Sequence, residues 1–414
     1  MSDISPKLAE FYRRLRDNDS SLISLYLGSM QLGDIEMQHL IIALQYNSYL
    51  RKLDLSNNEI GDIGIQHLGT ALQSNSSLTY LDLSLNQIED AGAQHLATAL
   101  QSNSSLTSLN LNFNQIGDGG MQYLDTILQS NLSLTYLDLS FNQIEDGGMQ
   151  HLDTSLRSNS SLISLDLRMN RLGYLGVQYL SQALQSNSSL MSLNLGGNQI
   201  KSEGAQHLST VLHSNSSLTE LGLGFNQIGD TGVQYLATAL QSNSSLTELN
   251  LPSNGIGDIG GQYLATALHS NSSLTSLNLY HNGIGEVGAQ HLSQVLLSNT
   301  SLISLTLGYN PMKCTGLQHL AATLEFNSTL TRLNLERNKL KIYEPPDSVI
   351  ALHSDPSLVF LDRNLYTRID LLIDRNKANT RLRNLTLVSL LLSSKSPIFG
   401  NRCSTWTTKK VVDI

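Results

Sequence analysis

The sequence predicts an α/β solenoid bent into a horseshoe, with a parallel sheet on its concave side and α-helices on its convex side. Three observations predict this fold: a leucine pattern with a fixed period, a short alternating segment in each period, and a second segment with helical periodicity. The pattern LxxLxL starts at Leu22 and returns every 28 residues up to Leu330, and at Leu358 only LxxL remains. We therefore expect twelve repeats over residues 22–357.

Each repeat combines a strand and a helix. From Leu78 to Ser84, two leucines alternate with polar residues, which is typical of a strand with one buried face. From Asp90 to Asn103, apolar residues recur at spacings of three and four, which is typical of an amphipathic helix. We expect the aspartate to be the helix N-cap and the asparagine to end the helix in the left-handed conformation. The equivalent aspartates are Asp34, Asp62, Asp118, Asp146, Asp230 and Asp258.

The stack of repeats must curve and must be capped. Strands pack about 4.8 Å apart whereas helices need about 8 to 10 Å, so the sheet lies on the inside of the curve. A single repeat cannot bury its own leucines, so both ends of the stack need a cap. Residues 1–21 are the expected N-terminal cap, with a short helix that starts at Pro6. The apolar face of that helix consists of Leu8, Phe11, Tyr12 and Leu15.

The repeat pattern fades towards the C-terminus. Pro345 and Pro346 interrupt the twelfth repeat, and its helix is expected to start near Asp347. Residues 358–392 are predicted to form a degenerate last repeat and C-terminal cap, with one more helix and an edge strand. Residues 393–414 show no period and are predicted to be a flexible tail.

Composition excludes several classes of protein. The 414 residues carry a formal net charge of −9 and include only two cysteines, so a disulfide framework is not expected. No stretch approaches the roughly 18 apolar residues of a membrane span, and the first residues lack the apolar core of a secretory signal. We therefore expect a cytoplasmic protein without membrane contact. Residues 22–330 hold 22 acidic and 7 basic side chains, a balance that repels nucleic acid and favours a basic protein partner.

The phrase LxxLxLxxNxIxDxGxxxLxxxL, as in Leu78 to Leu100, resembles the 28-residue leucine-rich repeats of the ribonuclease-inhibitor type. The same type of repeat forms domains of NOD-like receptors and of the Ran GTPase-activating protein. The resemblance covers about residues 22–365 and implies a leucine-rich repeat solenoid. The chain departs from those families in three respects. Cys314 is the single cysteine of the array, a phosphate-binding GxxxxGKS/T motif is absent, and residues 331–414 hold 14 basic against 8 acidic side chains where the Ran activator has an acidic segment.

Two sets of recurring polar residues have structural interpretations. Asparagine stands eight residues after the first leucine of eleven repeats, from Asn58 to Asn338, where its amide is expected to pair with backbone groups of the turn. Histidine or tyrosine recurs at one helix position, as in His67 and Tyr123, which predicts a half-exposed packing role and no metal site. No cofactor is expected either. Ten helix-end asparagines, among them Asn75, precede x-Ser/Thr, and we interpret this as helix-end chemistry, with a belt of glycans as the alternative.

The candidate binding surface is the concave face, where the outward positions of each strand can be read from the alternation. The candidate partner-binding residues are Tyr80, Asp82, Asn110, Phe113, Tyr136, Asp138, Phe141, Asp166, Arg168 and Met169. Phe113, Phe141 and Met169, together with Leu85, immediately precede the recurring asparagine in four consecutive repeats, and Phe225 and Tyr309 do so in later ones. Two interpretations are open for these four side chains: an exposed hot spot for protein binding, or packing against the turn.

The leading functional hypothesis is a non-enzymatic scaffold, adaptor or sensor that binds a protein partner on its concave face. The alternative is a GTPase activator resembling the Ran GTPase-activating protein, and a third possibility is an inhibitor of a basic enzyme. No catalytic residue is expected, because no Ser/His/Asp or Cys/His set stands apart from positions that simply repeat.

Overall fold

The structure is a computed structural model that describes residues 6–338 and Asp374. The helix expected near Asp347, the tail at 393–414 and, apart from Asp374, the degenerate repeat at 358–392 lie outside these residues. In the described part, twelve helices and twelve strands alternate along the chain. The strands are β1 (Ser24–Tyr26), β2 (Lys52–Asp54), β3 (Tyr80–Asp82), β4 (Ser108–Asn110), β5 (Tyr136–Asp138), β6 (Ser164–Asp166), β7 (Ser192–Asn194), β8 (Glu220–Gly222), β9 (Glu248–Asn250), β10 (Ser276–Asn278), β11 (Ser304–Thr306) and β12 (Arg332–Asn334).

The helices are longer than the strands and follow them one by one after α1. They are α1 (Pro6–Arg16), α2 (Asp34–Leu44), α3 (Asp62–Ser74), α4 (Asp90–Leu100), α5 (Asp118–Ser130), α6 (Asp146–Ser158), α7 (Tyr174–Leu184), α8 (Lys201–Ser214), α9 (Gly229–Leu240), α10 (Asp258–Ser270), α11 (Glu286–Leu296) and α12 (Lys313–Leu324).

All twelve strands belong to one parallel sheet and lie in the order of the chain. Every described pairing joins residues 28 positions apart, so that Leu25 lies beside Leu53 and Leu53 beside Leu81. The leucine at the centre of each strand therefore forms a continuous row across the sheet. Because the helices are thicker than the strands, the sheet lines the concave side of the solenoid. This confirms the predicted fold class.

One continuous core fills the space between the sheet and the helices. Leu81 and Leu83 of the third repeat are fully buried, as are Leu96 and Ala99 of the helix that follows. At the N-terminal end, α1 covers the first repeat with the apolar face that the sequence predicts: Leu8 and Leu15 are buried, while Phe11 and Tyr12 pack partly buried against the core. The Tyr12 hydroxyl also donates to the Glu36 carbonyl at 3.3 Å.

The recurring asparagines have the structural role that the sequence predicts. Asn58 Nδ2 donates to the carbonyl oxygens of Leu27, Leu55 and Ser56 at 3.0, 2.9 and 3.1 Å. Its Oδ1 accepts from the amides of Met30 and Leu32, both at 3.0 Å. Leu27, Met30 and Leu32 belong to the preceding repeat, so one side chain satisfies the turns of two neighbours. We call these residues the turn asparagines.

The helix-end asparagines differ from the prediction. Asn75 has φ −76° and ψ 121°, so it is extended and not left-handed. Its Nδ2 donates to the carbonyl oxygens of Leu44 and Asn47 in the preceding repeat, and its Oδ1 accepts from Ser77 and Leu78. The ten asparagines of the x-Ser/Thr phrases are all buried. A glycan on their Nδ2 atoms would displace these hydrogen bonds, so the structure supports the helix-end interpretation.

The aspartates at the helix starts also differ from the prediction. Asp146 is the first residue of α6 and not its N-cap, and it caps the helix of the next repeat. Its Oδ1 accepts from the amides of Gly173 and Gly176, at the start of α7, at 2.6 and 2.8 Å. The other six aspartates bond across repeats in the same way. The acceptor–donor pairs include Asp34 with Gly61, Asp62 with Glu89, Asp90 with Gly117, Asp118 with Glu145, Asp230 with Gly257, and Asp258 with Gly285.

These aspartates correlate with how the next helix starts. Where the preceding repeat supplies the aspartate, the residue before the helix is extended, as in Gly173 with φ −95° and ψ −165°. Among the repeats whose next helix is described, three carry another residue at this position: Tyr174, Ser202 or Glu286. The helices that follow them, α8, α9 and α12, start after Ile200, Ile228 and Met312 in the right-handed helical conformation. The aspartate therefore links the geometry of one repeat to the next.

Asp146→Ala is expected to lower the free energy of unfolding by about 1 to 2 kcal/mol, because the first turn of α7 loses its side-chain acceptor. Urea unfolding followed by circular dichroism measures the change. Asp153→Ala is the matched control, since Asp153 lies on the same helix and pairs with Arg157 one turn away at 2.7 Å. That surface pair contributes less than about 0.5 kcal/mol. Equal losses in the two variants would show that Asp146 acts only as a surface charge.

Candidate functional site

The structure brings the candidate residues together on four adjacent strands, β3 to β6. The strand register aligns them in two rows across the concave face. The first row consists of Tyr80, Ser108, Tyr136 and Ser164, and the second of Asp82, Asn110, Asp138 and Asp166. Arg168, Phe113, Phe141 and Met169 follow in the loops that leave the same strands. Neighbouring strands lie about 4.8 Å apart, so all ten residues belong to one surface.

The first carboxylate of the second row is held by a tyrosine and an amide. The Tyr80 hydroxyl and Asn110 Nδ2 both donate to Asp82 Oδ2 at 3.1 Å. The other oxygen, Asp82 Oδ1, accepts from the Ser84 amide at 2.9 Å. Burial and the nearby Asp82 charge raise the pKa of Tyr80 to about 12, so the hydroxyl keeps its proton and remains a donor. This network fixes the orientation of the Tyr80 ring.

The other two carboxylates are more deeply placed than the sequence suggests. Asp138 is only 4% exposed, and its Oδ1 accepts from both the amide and the hydroxyl of Ser140 at 2.9 and 2.6 Å. Asp166 is also buried and is paired with Arg168, whose Nε lies 2.8 Å from Asp166 Oδ2. Burial raises the pKa of Asp166, although the hydrogen bonds from Arg168 act in the opposite direction. These two carboxylates are therefore matched by the protein's own donors.

The side chains at the strand ends form an exposed apolar edge. We call Leu85, Phe113, Phe141 and Met169 the apolar rim. Phe113 and Phe141 stack with their ring centroids 3.9 Å apart and their planes 12° from parallel. Leu85, Phe113 and Met169 are 46, 43 and 46% exposed. Phe141 is half-buried, and the Met169 sulfur packs against Gly197 of the next repeat. The rim thus has both accessible surface and local packing, and both interpretations of the sequence stay open.

Every residue of the apolar rim has a left-handed backbone, with φ between 52° and 55°. This conformation costs an L-residue with a side chain about 1 to 2 kcal/mol, and glycine avoids the cost. Gly197 occupies the equivalent position in the seventh repeat, with φ 68°. The repeat geometry thus imposes the backbone conformation, while the run of four consecutive large apolar side chains is a property of these four repeats.

A second aromatic cluster lies at the other end of the concave face, and of its residues only Tyr309 was identified from the sequence. The rings of Tyr280 and Tyr309 meet edge to face with centroids 5.0 Å apart, and His281 lies 5.8 Å from Tyr309. The Arg337 guanidinium lies over the Tyr309 ring and donates to its hydroxyl. The 28-residue register places His281, Tyr309 and Arg337 at the same position of successive repeats, and this was the signal available in the sequence.

The described part of the chain offers no metal centre: no group of three or more His, Cys, Asp or Glu side chains there could hold an ion. The recurring helix rings, such as His67, His95 and Tyr123, are half-buried, as the packing interpretation predicts. The longest described helix has 14 residues, and none has the length and apolar character needed to cross a membrane.

Comparison with known proteins gives two family matches. The TMOD/LMOD leucine-rich domain matches residues 5–117. The leucine-rich repeat model matches six further segments: 130–152, 158–181, 186–209, 214–237, 242–265 and 270–293. No curated protein matches the chain. Neither family model specifies the ribonuclease-inhibitor type, which stays a prediction.

Among solved structures, an internalin from Listeria monocytogenes is similar, with 23% identity and a TM-score of 0.47 over 80% of this chain and 95% of that one. The C-terminal domain of tropomodulin from Caenorhabditis elegans has 15% identity and a TM-score of 0.35 over 43% of this chain and 96% of that one. At these values, likeness to a neighbour does not extend to its function. By its two family matches and its 28-residue strand–helix units, the chain belongs to the leucine-rich repeat proteins.

Proposed function

We propose that the protein is a cytoplasmic, non-enzymatic interaction module that binds a protein partner on the concave face of repeats 3 to 6. The observation that carries the proposal is the stacked pair of exposed Phe113 and half-buried Phe141 between the exposed Leu85 and Met169. Apolar side chains grouped on a surface and bordered by polar groups are typical of protein interfaces.

The polar rows would supply orientation and specificity. Tyr80 and Tyr136 stand two strands apart on the first row, and each hydroxyl donates to the aspartate two residues further on. A ring already held in place loses little conformational entropy when a partner packs on it. Tyrosine is also among the residues that contribute most to binding at interfaces. The concave face thus combines rigid aromatic contacts with the apolar rim.

The charge balance supports a basic partner. Residues 22–330 carry 22 acidic and 7 basic side chains, and a field of one sign steers an oppositely charged protein towards the surface. The GTPase-activator alternative rests on resemblance alone. Single-turnover GTP hydrolysis by a small GTPase, with and without the protein, separates it from a binding module.

The proposal is tested by affinity capture from cell lysate with mass spectrometry. The test variant is Tyr80→Ala/Tyr136→Ala/Phe113→Gly/Phe141→Gly. It is expected to capture at least about tenfold less of a specific partner than the wild type, since each hot-spot residue contributes about 2 kcal/mol or more. The matched control is Tyr46→Ala/Tyr174→Ala, which removes two exposed tyrosines from the helix side. Circular dichroism checks that both variants are folded. Capture of the same proteins in equal amounts by all three baits would contradict a concave binding site.

A further inference from the structure

We propose that the apolar rim seats a basic, amphipathic polypeptide segment of the partner, lying across repeats 3 to 6 at a right angle to the strands. This inference rests on the proposed function, because it names the chemistry of the partner for the same surface. Its first support is that the rim side chains have no structural task that needs their size. Four other repeats carry Ser29, Asn57, Gly197 or Ser253 at the equivalent position, and four carry Phe225, His281, Tyr309 or Arg337, all with the same left-handed backbone. The repeat therefore accepts small and large side chains there.

The rim has defined ends. On one side the rim stops at Asn57, whose side chain donates to Ser29 Oγ at 2.7 Å. The equivalent positions in the first two repeats are therefore polar. On the other side, the Met169 sulfur occupies the space that a side chain at Gly197 would fill. Four side chains at strand spacing span about 15 Å. That length corresponds to about ten residues of helix, which present apolar side chains on one face at spacings of three and four.

The charged side chains beside the rim determine which net charge a bound segment should carry. On its inner side, Asp82, Asp138 and Asp166 are bonded to the protein's own donors. Glu89 and Glu145 are exposed, and each stands four residues after a rim residue in the same loop. Glu145 pairs with Arg171 at 3.2 Å, but both side chains are more than half exposed, so this pair is easily exchanged. Arg168 and Arg171 are the basic side chains beside the rim, and five carboxylates outnumber them: Asp82, Asp138, Asp166, Glu89 and Glu145. The net charge beside the rim is therefore negative, and lysine or arginine fits there.

The test is selection from a random 16-residue peptide library displayed on phage, with the full chain as target. We expect the enriched peptides to carry a net positive charge and apolar residues at spacings of three and four. One enriched peptide is then synthesised, and its binding is measured by fluorescence anisotropy. Its affinity for Phe113→Gly/Phe141→Gly should be at least tenfold weaker than for the wild type. Phe225→Gly is the matched control, because Phe225 is left-handed and 62% exposed but lies outside the rim. It should change binding less than twofold.

A second pair of variants tests the charge without touching the aromatic residues. Glu89→Gln/Glu145→Gln should weaken binding of the same peptide at least threefold and reduce the salt dependence of this binding. The inference would be overturned by enriched peptides that are acidic or neutral. It would also be overturned by peptides that bind Phe113→Gly/Phe141→Gly and the wild type with equal affinity. A library that yields no enriched peptide would overturn it as well.

The outcomes also separate this inference from the proposed function. Suppose that peptide binding weakens in Tyr80→Ala/Tyr136→Ala but not in Phe113→Gly/Phe141→Gly. That result would overturn the inference but would still support a binding site on the concave face. The inference would also be wrong, and the concave site still supported, if the concave variant lost the captured partner but the selected peptides showed no preference for basic residues. If neither peptides nor captured proteins depend on either pair, both proposals are wrong.

Discussion

Asn142→Ala is expected to lower the free energy of unfolding by about 3 to 5 kcal/mol, a large effect for one polar side chain. Asn142 Nδ2 donates to the carbonyl oxygens of Leu111, Leu139 and Ser140 at 3.0, 3.0 and 3.2 Å. Its Oδ1 accepts from the Ile116 amide at 3.0 Å. The substitution leaves the Ile116 amide without a partner, at about 1 to 3 kcal/mol. The three carbonyl oxygens keep a second donor each, from Asn114, Asn170 and the Phe113 amide, so each loses one hydrogen bond at about 0.5 to 1.5 kcal/mol. Urea unfolding followed by circular dichroism measures the loss.

Two further variants isolate the cause of this loss. Gln143→Ala removes an exposed amide one residue away and should change stability by less than about 0.5 kcal/mol. Asn142→Asp keeps the size of the side chain but turns its donor into an acceptor facing three carbonyl oxygens, so it should be at least as destabilising as alanine. A loss below about 1 kcal/mol for Asn142→Ala would contradict the role given to the turn asparagines.

The fold could be predicted because one short pattern determines it many times over. A period of 28 fixes the register of every strand, as in the alignment of Leu25 with Leu53, and the two periodicities inside each unit fix the element types. The turn asparagines were also predictable, since a buried turn needs donors and acceptors wherever it recurs. No packing detail was needed for either conclusion.

The helix starts were not predictable from local rules. The sequence rule for an N-cap considers one helix and the residue just before it. Here the acceptor for the α7 amides is Asp146, 27 and 30 residues earlier in the chain. The same holds for the helix-end asparagine Asn75, which bonds to carbonyl groups 28 and 31 residues away. In a stacked array, the residue one period away is as close as a sequence neighbour, and local propensity does not describe that contact.

The candidate site was predictable as a surface but not in its electrostatics. Alternation places Tyr80, Asp82 and Tyr136 on the concave face, where the structure has them. It does not reveal that Asp138 is buried beside Ser140 or that Arg168 turns back onto Asp166. Nor does it reveal the left-handed backbone of the apolar rim. These properties depend on how loops and neighbouring strands pack, and they move the expected centre of binding from the carboxylates to Phe113 and Phe141.

Leu193→Ala is expected to lower the free energy of unfolding by about 2 to 5 kcal/mol through the cavity that it leaves. Leu193 is at the centre of β7, between Leu165 and Leu221 in the row of central leucines, and it is almost fully buried. Because each repeat is stabilised only by its neighbours, the damage should spread to repeats 6 and 8. Hydrogen exchange measured by mass spectrometry should therefore show faster exchange in β6 and β8 as well as in β7.

The matched control for this variant is Met191→Ala. Met191 lies two residues earlier on the same segment and is exposed, so its truncation should cost less than about 0.5 kcal/mol and leave exchange in β6 and β8 unchanged. A loss confined to repeat 7 in Leu193→Ala would mean that the repeats are stable singly, which the shared core does not allow. A loss below about 1 kcal/mol would mean that the neighbouring leucines close the cavity without strain. Either result would contradict a rigidly packed row that transmits stability from one repeat to the next.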